Sequence, residues 1–155
     1  MRNFKTGFTM IELIFVIVVL GILAAVAVPK FAATRVDAQI SKGIADVASI
    51  RSGIVSERQS RLIIGSTGYI PNGIGTYTYQ GRTFKQLDNG GLFGGVLMYG
   101  VANDSNKDGA WSAIAGSGTY VYRAGGISTT FTYTPADGKF DCTKDSGYCN
   151  ELTNK

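Results

Sequence analysis

The sequence has 155 residues, a net charge of +4, two cysteines and no histidine. This length allows one small domain plus an appendage. Without histidine there is no imidazole acid–base chemistry and no Cys–His nucleophilic pair, and the small net charge implies no polyanionic partner, so we expect neither an enzyme nor a protein specific for nucleic acid.

The N-terminal segment combines a short basic leader with a long apolar run. Residues 1–7 carry Arg2 and Lys5 and end in Gly7, and the run from Phe8 to Val28 contains a single charge, Glu12. At about 1.5 Å of rise per helical residue, this run is long enough to cross roughly 30 Å of hydrocarbon. A carboxylate is disfavoured in hydrocarbon, so we expect Glu12 to have a partner or a task.

The junction between leader and run, Lys5-Thr6-Gly7-Phe8-Thr9-Met10-Ile11-Glu12-Leu13-Ile14, resembles the class III signal of type IV pilins and type II secretion pseudopilins. The resemblance implies that a prepilin peptidase cuts after Gly7 and that the new terminal Phe8 is N-methylated. It also implies that Glu12 acts in filament assembly, and that a helical spine carries a β-sheet head. It covers the leader and the apolar run.

Two other interpretations of this segment stay open. Ala25-Val26-Ala27 satisfies the pattern for an ordinary signal peptide that is cleaved after Ala27, but the apolar region of such peptides spans about 7–15 residues and has no use for a glutamate. The run could also be a plain membrane anchor in which Glu12 is accidental. The basic leader and the C-terminal cysteines together favour a cytoplasmic N-terminus.

Residues 29–62 are predicted to continue the helix as an amphipathic half. Pro29 is expected to kink or loosen the helix without ending it, because helical patterning resumes at once. Charged residues, among them Arg61, fill the other faces, and Gly43 and Gly53 weaken the helix a little. The apolar residues recur at helical spacing and predict a stripe that lies on a sheet: Val36, Ile40, Ile44, Val47, Ile54 and Leu62.

Residues 63–155 are rich in Gly, Thr, Ser and Tyr, a composition typical of strands and turns. After a glycine-rich loop, 76–80 and 82–87 are predicted to be short strands or a strand and a turn, and 91–100 a buried strand or short helix. The clearest strands are 119–123 and 128–134, a hairpin around Gly125-Gly126, followed by 139–142. The predicted fold is α+β, a long N-terminal helical spine packed on a small antiparallel β-sheet head.

The segment Asp104-Ser105-Asn106-Lys107-Asp108-Gly109 has oxygen side chains at alternate positions and a glycine at the sixth. This is the opening of a calcium loop, but the twelfth position is Ala115, which excludes an EF-hand. Two interpretations stay open: Ca²⁺ bound by Asp104, Asn106 and Asp108, or a solvated Asn/Asp turn. Calcium loops occur in some major pseudopilins, so the resemblance supports the first.

Cys142 and Cys149 lie close together in the sequence and are predicted to form a disulfide in an oxidising compartment. Chain entropy for so short a loop gives about 2–3 kcal/mol of stabilisation. A zinc site is disfavoured because the chain has no histidine or further cysteine to complete four ligands.

Together these features predict a structural subunit, most like a type II secretion pseudopilin. As the resemblance implies, it would sit in the inner membrane as a single-pass protein with a periplasmic head, and then enter a periplasmic or extracellular filament. Expected partners are further copies, related minor subunits, membrane lipid, the assembly platform, the prepilin peptidase and exported protein. The alternatives are a true type IV pilin of a surface or DNA-uptake fibre, and a lone membrane-anchored binding domain.

Overall fold

The computed structural model describes residues 7–114, 116–144 and 146–153. A long helix precedes two small antiparallel sheets, which confirms the predicted α+β fold. The chain divides into two compact units, one ending at Val36 and one beginning at Asp37, and the first helix contributes to both. The elements in chain order are α1 (Met10–Ile63), β1 (Thr76–Tyr79), β2 (Arg82–Lys85), β3 (Ala110–Ala113), β4 (Thr119–Ala124), β5 (Ile127–Thr134), β6 (Lys139–Cys142) and α2 (Cys149–Thr153).

Helix α1 continues through Pro29, as predicted. A proline inside a helix removes one backbone hydrogen bond and crowds the preceding turn. Alanine, the residue with the highest helix propensity, is frequent on both sides, in residues 24–27 and 32–33. These alanines help to offset the cost of the proline.

The strands form two antiparallel sheets, β1-β2 and β3-β4-β5-β6. Gln80 and Gly81, both with positive φ, connect β1 to β2, and Gly125 and Gly126, at φ 54° and 79°, connect β4 to β5. A two-residue turn with two positive φ angles matches the twist of the strands that it joins. The predicted hairpin around Gly125-Gly126 and the strand at 139–142 are confirmed, and of the two alternatives for 76–80 and 82–87 the structure has two short strands.

The core of the C-terminal unit lies between α1 and the inner face of the four-stranded sheet. Val47, Ile50 and Ile54 of α1 are buried in one cluster with the aromatic residues of the sheet, Trp111, Tyr120, Tyr122, Phe131, Tyr133 and Phe140. Phe93 meets Trp111 edge to face, with ring centroids 5.6 Å apart. Such aromatic pairs add to the stabilisation from buried area.

The predicted apolar stripe is wrong at its C-terminal end. Leu62 is 47% exposed, whereas Arg61, predicted to face solvent, is 2% exposed. The Arg61 guanidinium pairs with Glu57, at 2.6 Å from Nε to Oε1, donates from Nη1 to the Tyr69 carbonyl oxygen at 3.0 Å and lies over the Tyr77 ring. A buried charge is tolerated when it is paired and hydrogen-bonded in this way.

The segment 91–100 is neither the strand nor the helix that was predicted, but a series of turns closed by an antiparallel bridge between Leu92 and Val101. The buried carboxylate of Asp88 organises it. Asp88 accepts hydrogen bonds from the backbone N–H groups of Phe93 at 3.0 Å and Gly116 at 2.8 Å, and from the Tyr120 hydroxyl at 2.9 Å. These donors replace the water that the carboxylate loses on burial.

Strand β3 was not predicted. It is four residues long and only Trp111 in it is fully buried, so it has no alternating pattern that could identify it. Its position follows from pairing with β4, where Trp111 lies opposite Tyr122.

Gly53 marks a close approach between α1 and the segment 91–100. A Cβ atom at Gly53 would lie 2.6 Å from the Val96 carbonyl oxygen, which belongs to the backbone and cannot rotate away. We therefore expect Gly53→Ala to lower the free energy of unfolding by about 1 kcal/mol or more, despite the better helix propensity of alanine. Urea unfolding followed by the fluorescence of Trp111, the only tryptophan, measures this.

Ser52→Ala, an exposed neighbour on the same helix, is the matched control. Equal stability of the Gly53→Ala and Ser52→Ala variants would contradict the close approach.

Candidate functional site

The N-terminal end of α1 is closed by hydrogen bonds between Thr9 and Glu12. The Glu12 N–H donates to Thr9 Oγ1 at 3.3 Å, while Glu12 Oε2 accepts from the Thr9 N–H at 2.8 Å and from the Thr9 hydroxyl at 2.7 Å. This reciprocal pattern is a capping box, which satisfies backbone N–H groups that a helix leaves free at its start. Glu12 therefore has a partner within its own chain.

Sequence analysis missed the role of Thr9, although the signal for it was present. A Ser or Thr followed three residues later by Glu, just ahead of an apolar run, is the signature of a capping box. Thr9-Met10-Ile11-Glu12 fits this signature. The sequence predicts that Glu12 has a partner or a task, and Thr9 is a partner three residues away.

The apolar part of α1 is exposed on all sides. The most apolar window of α1, 18 residues with a mean hydropathy of 3.0, has none of its residues buried, so length and composition suit a membrane crossing. A helix that is apolar all round has no face suited to water. The large exposed side chains include Ile11, Leu13, Ile14, Phe15, Val16, Ile17, Val18, Leu20, Ile22, Leu23, Val26 and Val28.

Gly7 and Phe8 lie just before this helix, which begins at Met10. Both are exposed, and among the described residues no atom beyond the chain neighbours of Gly7 lies within 4 Å of the position that its Cβ atom would take. The peptide bond between Gly7 and Phe8 is therefore outside regular secondary structure. Ala27, the end of the alternative signal-peptide site, lies inside α1.

The structure places the candidate calcium ligands in an exposed loop between the Leu92–Val101 bridge and β3. Asp104 Oδ1 accepts the Asn106 N–H at 3.0 Å, and Asp108 Oδ1 lies 3.0 Å from Nε of Arg123. Within the described ranges no three His, Cys, Asp or Glu side chains are close enough to share a metal ion. The contacts of this loop match the solvated turn better, and calcium stays a prediction.

Part of the chain is similar to known proteins. A family model described as the prokaryotic N-terminal methylation motif matches residues 2–28. The type IV major fimbrial protein FimA of Dichelobacter nodosus is 35% identical over 54 residues, 35% of each chain. A fimbrial protein of Moraxella nonliquefaciens is 38% identical over 58 residues, 37% of this chain and 38% of its own.

The chain is similar to type IV fimbrial proteins over part of its length. A fimbrial protein of Pseudomonas aeruginosa, 34% identical over 52 residues, agrees with this and again covers 34% of each chain. The chain thus spans about a third of the length of the curated relatives that it matches. No solved structure matches the chain significantly.

The predicted disulfide between Cys142 and Cys149 is confirmed. It connects the end of β6 to the start of α2, whose Leu152 is buried in the core. Leu152 packs directly against α1 at Gly43. A Cβ atom at position 43 would lie 2.5 Å from the Leu152 Cδ2 atom. The disulfide therefore holds a core residue as well as the chain end.

We expect the double change Cys142→Ser and Cys149→Ser to lower the free energy of unfolding by about 2–3 kcal/mol, because the open chain gains conformational entropy when it unfolds. Urea unfolding of the detergent-solubilised chain measures the loss. A reductant should lower the midpoint of the wild type and leave that of the variant unchanged. A variant with the wild-type midpoint would show that the disulfide does not stabilise the fold.

Proposed function

We propose that the chain is a structural subunit of a type IV pilus-like filament, inserted in the inner membrane and polymerised through its apolar helix. The observation that carries this proposal is the helix itself, apolar on every face, exposed along its most apolar window and capped at its start by Thr9 and Glu12. Lipid can cover such a surface before assembly, and the same helices of other copies can cover it afterwards. The names of the relatives, all fimbrial proteins, support a structural subunit over an enzyme.

Processing by a prepilin peptidase is part of this proposal. The match to an N-terminal methylation motif supports cleavage between Gly7 and Phe8 and methylation of the new Phe8 amine. The position of this bond ahead of the helix supports the same site, because a peptidase needs backbone that is free of helical hydrogen bonds. The leader would then be residues 1–7, the membrane and filament-core half 8–28, the amphipathic half 29–62 and the head 63–155.

The disulfide supports a location for the head outside the cytoplasm, since disulfides persist in oxidising compartments. With the basic leader on the cytoplasmic side, the head would be periplasmic. The assembly platform, related minor subunits and exported protein would be its further partners.

Among filament systems we propose a type II secretion pseudopilin, following the resemblance of the leader and helix. A true type IV pilin of a surface or DNA-uptake fibre is the second candidate, and the names of the fimbrial relatives favour it. Their similarity lies in about a third of the chain, so it does not extend to the whole subunit. A lone membrane-anchored domain is the third candidate, and it predicts no polymer when the other filament components are present.

The capping box means that a test of Glu12 in assembly has to separate its charge from its capping hydrogen bonds. We propose that its carboxylate pairs with the terminal ammonium of Phe8 in a neighbouring subunit, because opposite charges attract more strongly in hydrocarbon than in water. Gln at this position can still accept the capping hydrogen bonds but has no charge. We therefore expect both Glu12→Gln and Glu12→Ala subunits to be inserted and cleaved normally and to form few filaments.

Filament yield should be measured with each variant as the sole copy, since wild-type subunits could rescue mixed fibres. Thr9→Val, which removes the capping hydroxyl and keeps the carboxylate, is the matched control and should assemble. Normal yield from Glu12→Gln with loss in Glu12→Ala would assign Glu12 to helix capping alone. Loss of cleavage in the Glu12 variants would instead assign Glu12 to recognition by the peptidase.

A further inference from the structure

The oxygen-rich loop at residues 104–109 is held by positively charged side chains of the protein itself. We propose that Lys42 and Arg123 take the place of a divalent cation in this loop, so that the C-terminal unit folds independently of calcium. This inference concerns the C-terminal unit and does not depend on the proposed role in a filament. It rests on the contacts of the two cationic side chains with the loop.

Arg123, on β4, binds the loop at two points. Its Nε lies 3.0 Å from Asp108 Oδ1, and its Nη1 donates to the Ser105 carbonyl oxygen at 3.5 Å. The Gly109 N–H donates to the carbonyl oxygen of Arg123 at 2.7 Å, so side chain and backbone both fasten the loop to β4. The side chains of Arg123 and Asp108 are 39% and 30% exposed, and partial burial reduces screening by solvent.

Lys42 reaches the other end of the loop from helix α1. Its ammonium donates to the Gly109 carbonyl oxygen and lies 3.8 Å from Asp46 Oδ2. The same Asp46 oxygen accepts the indole N–H of buried Trp111 at 3.0 Å. Through Lys42 the loop is therefore connected to the helix and to the core.

The remaining acidic side chain of the loop is used locally. Asp104 Oδ1 accepts the Asn106 N–H, which closes a turn of the kind that Asp and Asn form with the backbone two residues on. Asp108 Oδ1 also accepts the Gly126 N–H at 3.2 Å. Calcium takes six to eight oxygen ligands, and at Asp108 it would have to compete with Arg123. The residues present thus do not fit the ion.

The charges support the same conclusion. Of the two carboxylates of the loop, Asp108 lies against the positive charge of Arg123, while Lys42 contacts the loop at the Gly109 carbonyl oxygen and Lys107 lies within the loop. Asp108 is thus already balanced by Arg123, and the positive charges of Lys42 and Lys107 beside it further weaken the attraction of a divalent ion. The alternate oxygen side chains resemble a calcium loop because turns and calcium loops favour the same residue types.

Thermal unfolding of the full chain in detergent micelles tests this, with Trp111 fluorescence reporting on the C-terminal unit. We expect the wild type to have the same melting temperature in millimolar calcium chloride and in EDTA, because an ion stabilises a protein only if the folded state binds it. A higher melting temperature in calcium would overturn the proposal.

The role of Arg123 is tested by Arg123→Met, which keeps an apolar side chain of similar length. We expect it to lower the melting temperature by about 2–5 °C, the effect of losing a partly exposed ion pair and the hydrogen bond from Nη1 to the Ser105 carbonyl oxygen. Lys107→Met, in the same loop and with no described ion pair, is the matched control and should leave the melting temperature unchanged. Equal melting temperatures for the two variants would overturn the proposal.

A double-mutant cycle with Asp108→Asn separates the ion pair from general damage to the loop. If Arg123 acts through Asp108, adding Asp108→Asn to Arg123→Met should lower the melting temperature by less than Asp108→Asn does in the wild type. Additive effects of the two changes would show that Arg123 does not hold the loop through Asp108.

Discussion

A helix that is apolar on every face has to be covered by something other than water, and residues 8–28 impose this constraint on the whole chain. The helix satisfies its own backbone hydrogen bonds, which is what hydrocarbon requires of a segment that enters it. Its first turn is closed by Thr9 and Glu12, so the one carboxylate of the segment has hydrogen-bond donors in its own chain. The same surface can pass from lipid to other helices because neither environment demands a polar face.

The C-terminal unit differs from the apolar helix in that it buries charged groups in a small core. Asp88 is surrounded by backbone N–H groups and the Tyr120 hydroxyl, and Arg61 is paired with Glu57. Burial, and after it the neighbouring Asp88 carboxylate, raise the pKa of Tyr120 above its ordinary value, so Tyr120 stays protonated and continues to donate to Asp88. Such paired groups hold irregular segments that have no regular strand or helix of their own.

Periodicity and turn chemistry predicted the features that depend on local sequence: helix α1, the hairpin at Gly125-Gly126 and the last strand. The features that escaped prediction depend on contacts distant in sequence. Nothing in the sequence near Arg61 indicates that the ring of Tyr77 will cover its guanidinium. Similarly, position 53 needs a glycine because of the Val96 carbonyl oxygen, which is distant in sequence. In the candidate site, the spacing of Thr9 and Glu12 was readable from sequence, whereas the contact of Arg123 with the acidic loop was not.

The proposed role in a filament requires that the apolar helix stay in the mature protein and begin it, because a helix that is removed cannot form a filament core. Mass spectrometry of the N-terminal peptide, from protein purified out of its native membrane or fibre, determines where the mature chain begins. We expect it to begin at Phe8 with one methyl group on its amine. A mature chain that begins at Val28, directly after Ala27, would mean that the helix is an ordinary signal peptide and would rule out the filament role.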